Sequence, residues 1–219
     1  MIAAIFDVDG TMVDNARFHE AAWIELCRRH GHPISAEFYQ RHIHAQSNDK
    51  NVRTIFGAGV SRDFIERMSA EKEDIYRTTF RPVLREIPGL TALLQALNQR
   101  RIPCAAASNS PRENVDMVLD ELNIRRYFRV VIHRELVTHG KPNPEILLTA
   151  ARLLGFAPRQ CVVFEDSLPG FQAAETAGMA CIAITAGANP EELKHATHVR
   201  RMVPDFRSID PDMLPDLLA

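Results

Sequence analysis

The sequence predicts an α/β fold, with a parallel β-sheet covered by helices on both faces and interrupted by an inserted all-helical domain. Two observations predict this fold. Short apolar runs alternate with segments of helical period, which is typical of βαβ units whose parallel sheets are buried on both faces. Between the first apolar run and about residue 80, only helix-like segments occur. We therefore expect a core domain of residues 1–14 and 82–219 and a helical cap domain of residues 15–81.

The composition is that of an ordinary soluble globular protein that can bury a substantial core. Of the 219 residues, 46% are hydrophobic and 25% are charged. The net charge of −2 does not favour binding to nucleic acid or to an anionic membrane. No apolar stretch approaches the length of a bilayer span. No basic region precedes the first apolar run, and the four cysteines form no CxxC pair. We expect a cytoplasmic protein that is a monomer or a weak homodimer.

The first strand is predicted at residues 3–6, an apolar run that ends in Asp7 and Asp9. Side chains at i and i+2 of an extended strand point the same way, so both carboxylates can face one pocket beyond its carboxyl end. Gly10 permits a tight backbone exit there. Two crowded carboxylates are costly unless they do chemistry, share a proton or hold a cation. The alternative for this segment alone is a polar strand end followed by a turn.

The remaining elements are predicted from the period of the apolar residues. The first helix is expected at residues 16–31, and further helical segments are expected between Ser35 and Phe80, with breaks near Ser47 and Gly57. In the core domain, each further strand follows a helical segment. The helices are predicted at 90–101, 111–122, 144–154 and 169–177, and the strands at 102–107, 130–132, 161–164 and 181–184. An insert that leaves the sheet directly after Asp9 is expected to cover the pocket as a lid that excludes water and contacts substrate.

Two further segments carry candidate anion-binding residues. Ser108 and Asn109 follow the strand at 102–107, and Pro111 favours a helix start, where exposed amides bind anions readily. Helix capping without any ligand is the alternative for this segment. Lys141 lies between a glycine and a proline just before a helix, which can aim its ammonium inward, and a solvated lysine is the alternative.

Glu165 and Asp166 form a third acidic strand end. With Asp7 and Asp9 they would bring four carboxylates to one edge of the sheet. Oxygen ligands are those that Mg²⁺ prefers, with few carboxylates and several waters or substrate oxygens. The sequence therefore predicts a magnesium site.

The charges favour phosphoryl transfer to an aspartate. An aspartate is ionised near pH 7 and needs no base to become a nucleophile. Its difficulty is repulsion, because two unit charges ~4 Å apart cost about 4 kcal/mol at an effective dielectric constant of ~20. Mg²⁺ and Lys141 would supply the compensating charge. Asp9 is placed to protonate the leaving oxygen and later to activate water.

The sequence DVDGT at residues 7–11, followed in order by Ser108, Lys141 and the pair Glu165-Asp166, resembles the motif set of the haloacid dehalogenase-like (HAD) hydrolases. The four motifs and their spacers cover roughly the whole chain. The resemblance implies a Rossmann-like core with a helical cap. It also implies that Asp7 is the nucleophile and that Asp9 is the general acid/base, which offers its backbone carbonyl to Mg²⁺. Ser108 and Lys141 are implied to bind phosphate, with Asn109 as a helper. Asp166 is implied to be a metal ligand, and Glu165 is implied to bind the metal directly or through water.

Within this family the chain resembles the branch that holds β-phosphoglucomutase and small sugar-phosphate phosphatases. His19 and Trp23 fit the cap-hinge pattern of that branch, and residues 167–178 fit its final motif. The resemblance implies that His19 lies near the substrate, and Lys72 aligns with a cap lysine that does the same. A partly buried helix histidine and a solvated lysine are the alternatives.

Two departures count against mutase activity. Asn48 stands where the mutase has an arginine for a second phosphate, and Asn15 where its hinge has a threonine. Arg53, one helical turn further on, could partly substitute. We therefore predict a Mg²⁺-dependent phosphatase that hydrolyses a small phosphorylated metabolite, a sugar phosphate in particular, through an aspartyl-phosphate on Asp7. The alternatives are a sugar phosphate mutase on the same scaffold and a non-catalytic phosphate-binding regulatory module.

Overall fold

The computed structural model describes residues 1–186, 188, 193–196 and 198–218. The chain divides into two units, one formed by Met1–Asp14 and Leu84–Ala219 and the other by Asn15–Val83. The second unit is two residues longer at its carboxyl end than the predicted cap domain. No helix in the described part of the chain combines the length and apolar character that crossing a membrane requires.

The first unit contains a six-stranded parallel sheet with the strand order β3-β2-β1-β4-β5-β6. This confirms the predicted α/β class. The strand missing from the prediction is β6, whose three residues include an exposed arginine and an exposed methionine and so give no apolar run. The strands are β1 Ala3–Phe6, β2 Cys104–Ala107, β3 Phe128–Ile132, β4 Cys161–Glu165, β5 Ala180–Ile184 and β6 Arg201–Val203.

Each of the central strands is buried along its whole length, as a sheet covered on both faces requires. On one side of the sheet, Phe6 stacks on Phe164 with ring centroids 4.3 Å apart. On the other side, Ile5 and Val163 belong to a buried cluster with residues of two helices. Among the described residues of this unit, the α-helices include α5 Leu90–Gln99, α6 Arg112–Glu121, α7 Glu145–Leu154 and α8 Leu168–Ala177.

The register of the central strands determines which residues leave the sheet together. Phe6 of β1 is paired with Ala106 of β2 and with Phe164 of β4. The residues that follow these three positions are Asp7, Ala107 and Glu165, so the carboxyl ends of β1 and β4 deliver two acidic side chains side by side. Asp7 is also tied to β4 because its backbone N–H donates to the carbonyl of Phe164 at 2.9 Å.

The second unit, all of whose residues are described, contains helices and no strand, as predicted for the insert. Its helices are α1 Ala16–Arg29, α2 Ala36–His42, α3 Asn48–Phe56 and α4 Arg62–Phe80. Ser35, Ser47 and Ser61 begin the last three helices, and each hydroxyl accepts a hydrogen bond from the backbone N–H three residues later. These caps satisfy amides that would otherwise lack a partner, which explains why the helices start where they do.

Candidate active site

The turn after β1 brings Asp166 against the backbone of Gly10. Gly10 has a φ of +81°, and a Cβ at this position would lie 1.9 Å from Oδ2 of Asp166. The hydroxyl of the next residue, Thr11, donates to Oδ1 of Asp166 at 2.9 Å. A glycine is therefore needed at this turn both for its backbone conformation and for the close approach of a carboxylate.

Lys141 bridges two of the buried carboxylates. Its ammonium Nζ donates to Oδ1 of Asp7 at 2.5 Å and to Oε1 of Glu165 at 2.7 Å. Burial alone would lower the pKa of Lys141, but the charges of the two carboxylates outweigh burial and raise it. Lys141 therefore stays charged, and its ammonium points inward, which is the orientation expected for a lysine in the Gly-Lys-Pro loop.

Glu165 is held in one orientation by hydrogen bonds to both of its oxygens. Oε1 accepts from Lys141, while Oε2 accepts from the backbone N–H groups of Asp166 at 2.6 Å and Ser167 at 2.9 Å. The carboxylate also fills the space above Gly170, where an added Cβ would lie 1.8 Å from Oε1. Ser167 in turn caps α8 by accepting a hydrogen bond from the N–H of Gly170.

Asp7, Glu165 and Asp166 form a buried acidic cluster, whose ligand oxygens lie within 4.8 Å of one another. Burial is the main cause that raises the pKa of Asp7 well above its ordinary value. Lys141 opposes this, and the negative charges of Glu165 and Asp9 add to it. The pKa of Asp166 is raised by burial and then by the charges of Glu165 and Asp7. A single ammonium thus does not compensate for the carboxylates, and a divalent cation bound by their oxygens fits both the charge and the ligand type.

The side chain of Asp9 lies beside this cluster and contacts hydroxyl groups. Its Oδ2 accepts from the hydroxyl of Ser108 at 3.1 Å and from that of Ser110 at 2.6 Å. The Oγ of Ser108 also accepts a hydrogen bond from the backbone N–H of Ser110 at 3.0 Å. Three of the four predicted acidic side chains therefore form the cluster, whereas the fourth carboxylate is held by the loop after β2.

Asn109 acts on the backbone of the lysine loop. Its Oδ1 accepts from the N–H of Lys141 at 2.9 Å, and its Nδ2 donates to the carbonyl of Lys141 at 3.1 Å. Gly140 allows this approach, because a Cβ there would lie 2.5 Å from Oδ1 of Asn109. The amide thus holds Lys141 in position, and its predicted contact with phosphate stays a prediction.

The two remaining predicted residues, His19 and Lys72, contact each other in the helical unit. Nζ of Lys72 lies 2.8 Å from Nδ1 of His19 and donates to Oε1 of Glu73 at 2.9 Å. The ring of His19 stacks on Tyr76 with centroids 3.9 Å apart. Lys72 is 3% exposed and Glu73 is 5% exposed, so this is a buried ion pair. We call His19, Lys72, Glu73 and Tyr76 the helical-unit cluster.

Sequence reasoning missed several residues of these two groups, including Thr11, Ser110, Glu73, Tyr76 and Gly170. Thr11 lies inside the first motif, and Ser110 lies two residues after Ser108. Both could have been predicted as site residues because they are close in sequence to residues that were predicted. Glu73 carries no such signal, because an acidic residue next to a lysine on a helix is usually exposed. Gly170 could be identified only once the approach of Glu165 was known.

Comparison with known proteins places these residues in context. Residues 1–178 match the model of the haloacid dehalogenase-like hydrolase family. The 5-amino-6-(5-phospho-D-ribitylamino)uracil phosphatase of Arabidopsis thaliana, described as chloroplastic, is 29% identical over 216 residues, which are 98% of this chain and 58% of that protein. Hexitol phosphatase A of Escherichia coli is 34% identical over 189 residues, 86% of this chain and 85% of that protein.

The chain is also similar to a sugar phosphate mutase in sequence and to a solved hydrolase in structure. A β-phosphoglucomutase of Bacillus subtilis is 29% identical over 198 residues, 85% of this chain and 84% of that protein. The crystal structure of a HAD hydrolase, family IA, variant 3, from Entamoeba histolytica is similar with a TM-score of 0.91 and 26% identity, covering 100% of this chain and 99% of that one. The family match spans most of the chain and includes its acidic cluster, and the chain therefore belongs to the haloacid dehalogenase-like hydrolases.

Proposed function

We propose that this chain is a Mg²⁺-dependent phosphatase that hydrolyses a small phosphorylated metabolite, a sugar phosphate in particular, through an aspartyl-phosphate on Asp7. The observation that carries the proposal is the buried cluster of Asp7, Glu165 and Asp166 bridged by Lys141. Membership in a hydrolase family and similarity to a hexitol phosphatase support the same activity.

The nucleophile assignment to Asp7 is supported by its hydrogen bonds. One oxygen, Oδ1, accepts from Lys141, and the other accepts no hydrogen bond from the described residues. A carboxylate oxygen without a protein donor can attack phosphorus or bind a cation. In the first step the Asp7 oxygen forms a bond to phosphorus while the bond from phosphorus to the leaving oxygen breaks.

Asp9 is proposed as the acid and base of the two steps. Its proton passes to the leaving oxygen in the first step, and the resulting carboxylate accepts a proton from water in the second, as the water oxygen displaces Asp7 from phosphorus. The hydroxyl groups of Ser108 and Ser110 fix the carboxyl orientation through Oδ2. Ser108 is also proposed to donate to the phosphate.

The acidic cluster is proposed to hold Mg²⁺ through the side chains of Asp7 and Asp166, the backbone carbonyl of Asp9 and, directly or through water, Glu165. The ion, when bound, supplies positive charge to the phosphate oxygens. Lys141 supplies the second positive charge, since its ammonium stays protonated between two carboxylates. Both charges reduce the repulsion between an anionic nucleophile and an anionic phosphate.

The helical-unit cluster supports hydrolysis of a monophosphate over the mutase alternative. We propose that His19 and Lys72 contact the part of the substrate that does not react. The Lys72 charge is balanced by Glu73, which also accepts a hydrogen bond from Asn48 at 2.8 Å. Arg53 bonds to Asp49 at 3.2 Å and to the carbonyl of Ala58 at 2.9 Å. A cluster in which the lysine charge is balanced suits hydroxyl groups better than a second phosphate.

The proposed setting is a reducing compartment, in particular the cytoplasm, and the proposed assembly is a monomer or a weak homodimer. The four cysteines support the first point, because all are buried and none is in a disulfide. The only partner proposed is the phosphorylated substrate.

A panel of phosphorylated metabolites, including hexose, hexitol and pentose monophosphates, tests the activity. We expect Mg²⁺-dependent release of inorganic phosphate, which is lost in Asp7→Asn while the fold is kept. Undiminished hydrolysis by Asp7→Asn would refute the nucleophile assignment. Conversion of a sugar phosphate into its isomer in the presence of a bisphosphate, without net phosphate release, would establish the mutase instead. Binding without turnover of any kind would indicate a regulatory module.

A further inference from the structure

A cavity lies at the opposite end of the sheet from the acidic cluster. Its volume is about 440 Å³. Its lining includes Arg159, which precedes β4, Ala180, which begins β5, and Arg200, which precedes β6. These are the amino ends of three neighbouring parallel strands, whereas Glu165 ends β4 at its carboxyl end. Because β4 has five residues, about 16 Å of strand separates the two ends. We call this cavity the amino-end pocket.

The charged side chains of the amino-end pocket include two unpaired guanidinium groups. Arg159 and Arg200 are exposed, and neither forms a hydrogen bond through its guanidinium or an ion pair with any described residue. Several other arginines among the described residues pair with a carboxylate, whereas the two guanidinium groups of the pocket leave their donors available to a ligand. Glu175 also lines the cavity and is 58% exposed. An arginine is suited to carboxylate and phosphate groups because its planar fork can donate two parallel hydrogen bonds.

A histidine in the pocket has a buried nitrogen without a partner. Nδ1 of His198 lies 3.5 Å from Oε2 of Glu175. The other ring nitrogen, Nε2, is buried and makes no hydrogen bond. Buried polar atoms almost always have a partner, and one without a partner calls for an explanation such as a ligand. Nε2 of a protonated imidazole would donate a hydrogen bond to an anion, and Nε2 of a neutral one would accept a hydrogen bond from a ligand hydroxyl.

The rest of the lining is apolar, which determines the kind of anion that fits. Met179, Val199, Leu217 and Leu218 contribute to the wall, and Met179 is 5% exposed. The cavity volume lies within the range of about 300–1,000 Å³ typical of small-molecule sites, and it is much larger than a single phosphate or carboxylate group needs. An anionic group alone would leave the apolar wall in contact with water.

We propose that the amino-end pocket binds a small organic anion, with its phosphate or carboxylate group at Arg159 and Arg200, its apolar part against Met179 and the neighbouring leucines, and a polar atom at Nε2 of His198. This site is separate from the acidic cluster and would be occupied independently of turnover. Phosphate and carboxylate share the chemistry that the arginines recognise, so the experiment must compare the two.

Methyl NMR of the full chain labelled at its methionines tests the proposal, because Met179 lies in the pocket and its methyl signal can be assigned with Met179→Leu. The probes are phenylphosphonate and benzoate, which share an apolar ring and differ in the anionic group, and benzyl alcohol, which carries no charge. We expect saturable shifts of the Met179 signal with at least one of the two anions. The anion with the lower Kd identifies the preferred group.

The double variant Arg159→Ala/Arg200→Ala should weaken that anion at least about tenfold, a change of about 1.4 kcal/mol. Arg152→Ala is the matched control, because Arg152 is exposed on α7 of the same unit and does not line the pocket. It should leave the affinity unchanged, and unshifted signals of the other methionines will show that the variants are folded. Equal affinity of the wild type and the double variant, equally tight binding of benzyl alcohol, or no shift of Met179 with either anion would each overturn the proposal.

Discussion

The close approach of Asp166 to Gly10 allows a quantitative test of the active-site geometry. Adding a methyl group in Gly10→Ala places a Cβ 1.9 Å from Oδ2 of Asp166, whereas Cβ contacts below 3.0 Å are essentially never seen. The carboxylate or the turn must therefore move by about 1.1 Å, the difference between these distances. Such a shift would break the hydrogen bond from Thr11 to Asp166 and displace one of the three carboxylates of the acidic cluster.

Gly155→Ala provides a matched control for the backbone contribution. Gly10 and Gly155 have similar left-handed φ values, +81° and +84°, but a Cβ at residue 155 would have no heavy atom within 4 Å. Both variants should therefore lose about 1–2 kcal/mol of stability from backbone strain. Only Gly10→Ala should also weaken Mg²⁺ binding and reduce kcat, by about 100-fold for a misplacement of about 1 Å.

The assays are urea unfolding, calorimetric titration with Mg²⁺, and steady-state phosphate release on a substrate found in the metabolite panel. If Gly10→Ala matches Gly155→Ala in Mg²⁺ affinity and kcat, the carboxylate of Asp166 is not positioned by this turn and the reasoning is refuted.

Three further substitutions test other parts of the account. The asparagine of Asp9→Asn can still accept hydrogen bonds from the serine hydroxyls, but it can neither donate nor accept the catalytic proton. The kcat of this variant should therefore fall by about 10²–10⁴-fold. An unchanged kcat would exclude Asp9 as the acid and base. Glu73→Gln removes the charge that balances Lys72 and should lower the KM for a bisphosphorylated sugar relative to a monophosphate, whereas an unchanged KM ratio would argue against Lys72 as a substrate contact. Phe164→Ala removes a ring stacked in the core and should cost about 3–5 kcal/mol in urea unfolding, so a loss below 1 kcal/mol would contradict the packing described.

Most of the sheet could be predicted because buried parallel strands give apolar runs that differ from amphipathic helices in period. The strand β6 could not, since its pairing with β5 at the sheet edge leaves two of its three residues exposed. The breaks predicted near Ser47 and Gly57 coincide with the two ends of α3, whereas capping by serine hydroxyls was not predicted.

The contacts within the site were less predictable than the residues. The bridge from Lys141 to Glu165 joins positions 24 residues apart, and no local pattern indicates it. Likewise, a polar side chain such as Asn109 can bind either a ligand or a neighbouring loop. In the structure its amide packs against Gly140 and accepts a hydrogen bond from the backbone of the lysine loop. Glu73 is buried with Lys72 and Asn48 among its partners, and the contact with Asn48 depends on how α3 packs against α4.

The central proposal is that Asp7 and Asp166, with Glu165 directly or through water, hold one divalent cation beside the ammonium of Lys141. Anomalous scattering from a crystal grown with Mn²⁺, a stand-in for Mg²⁺, tests it most directly. We predict a single strong peak within coordination distance of both Asp7 and Asp166. A well-ordered crystal with no peak there, or with its strongest peak at other residues, would contradict the claim.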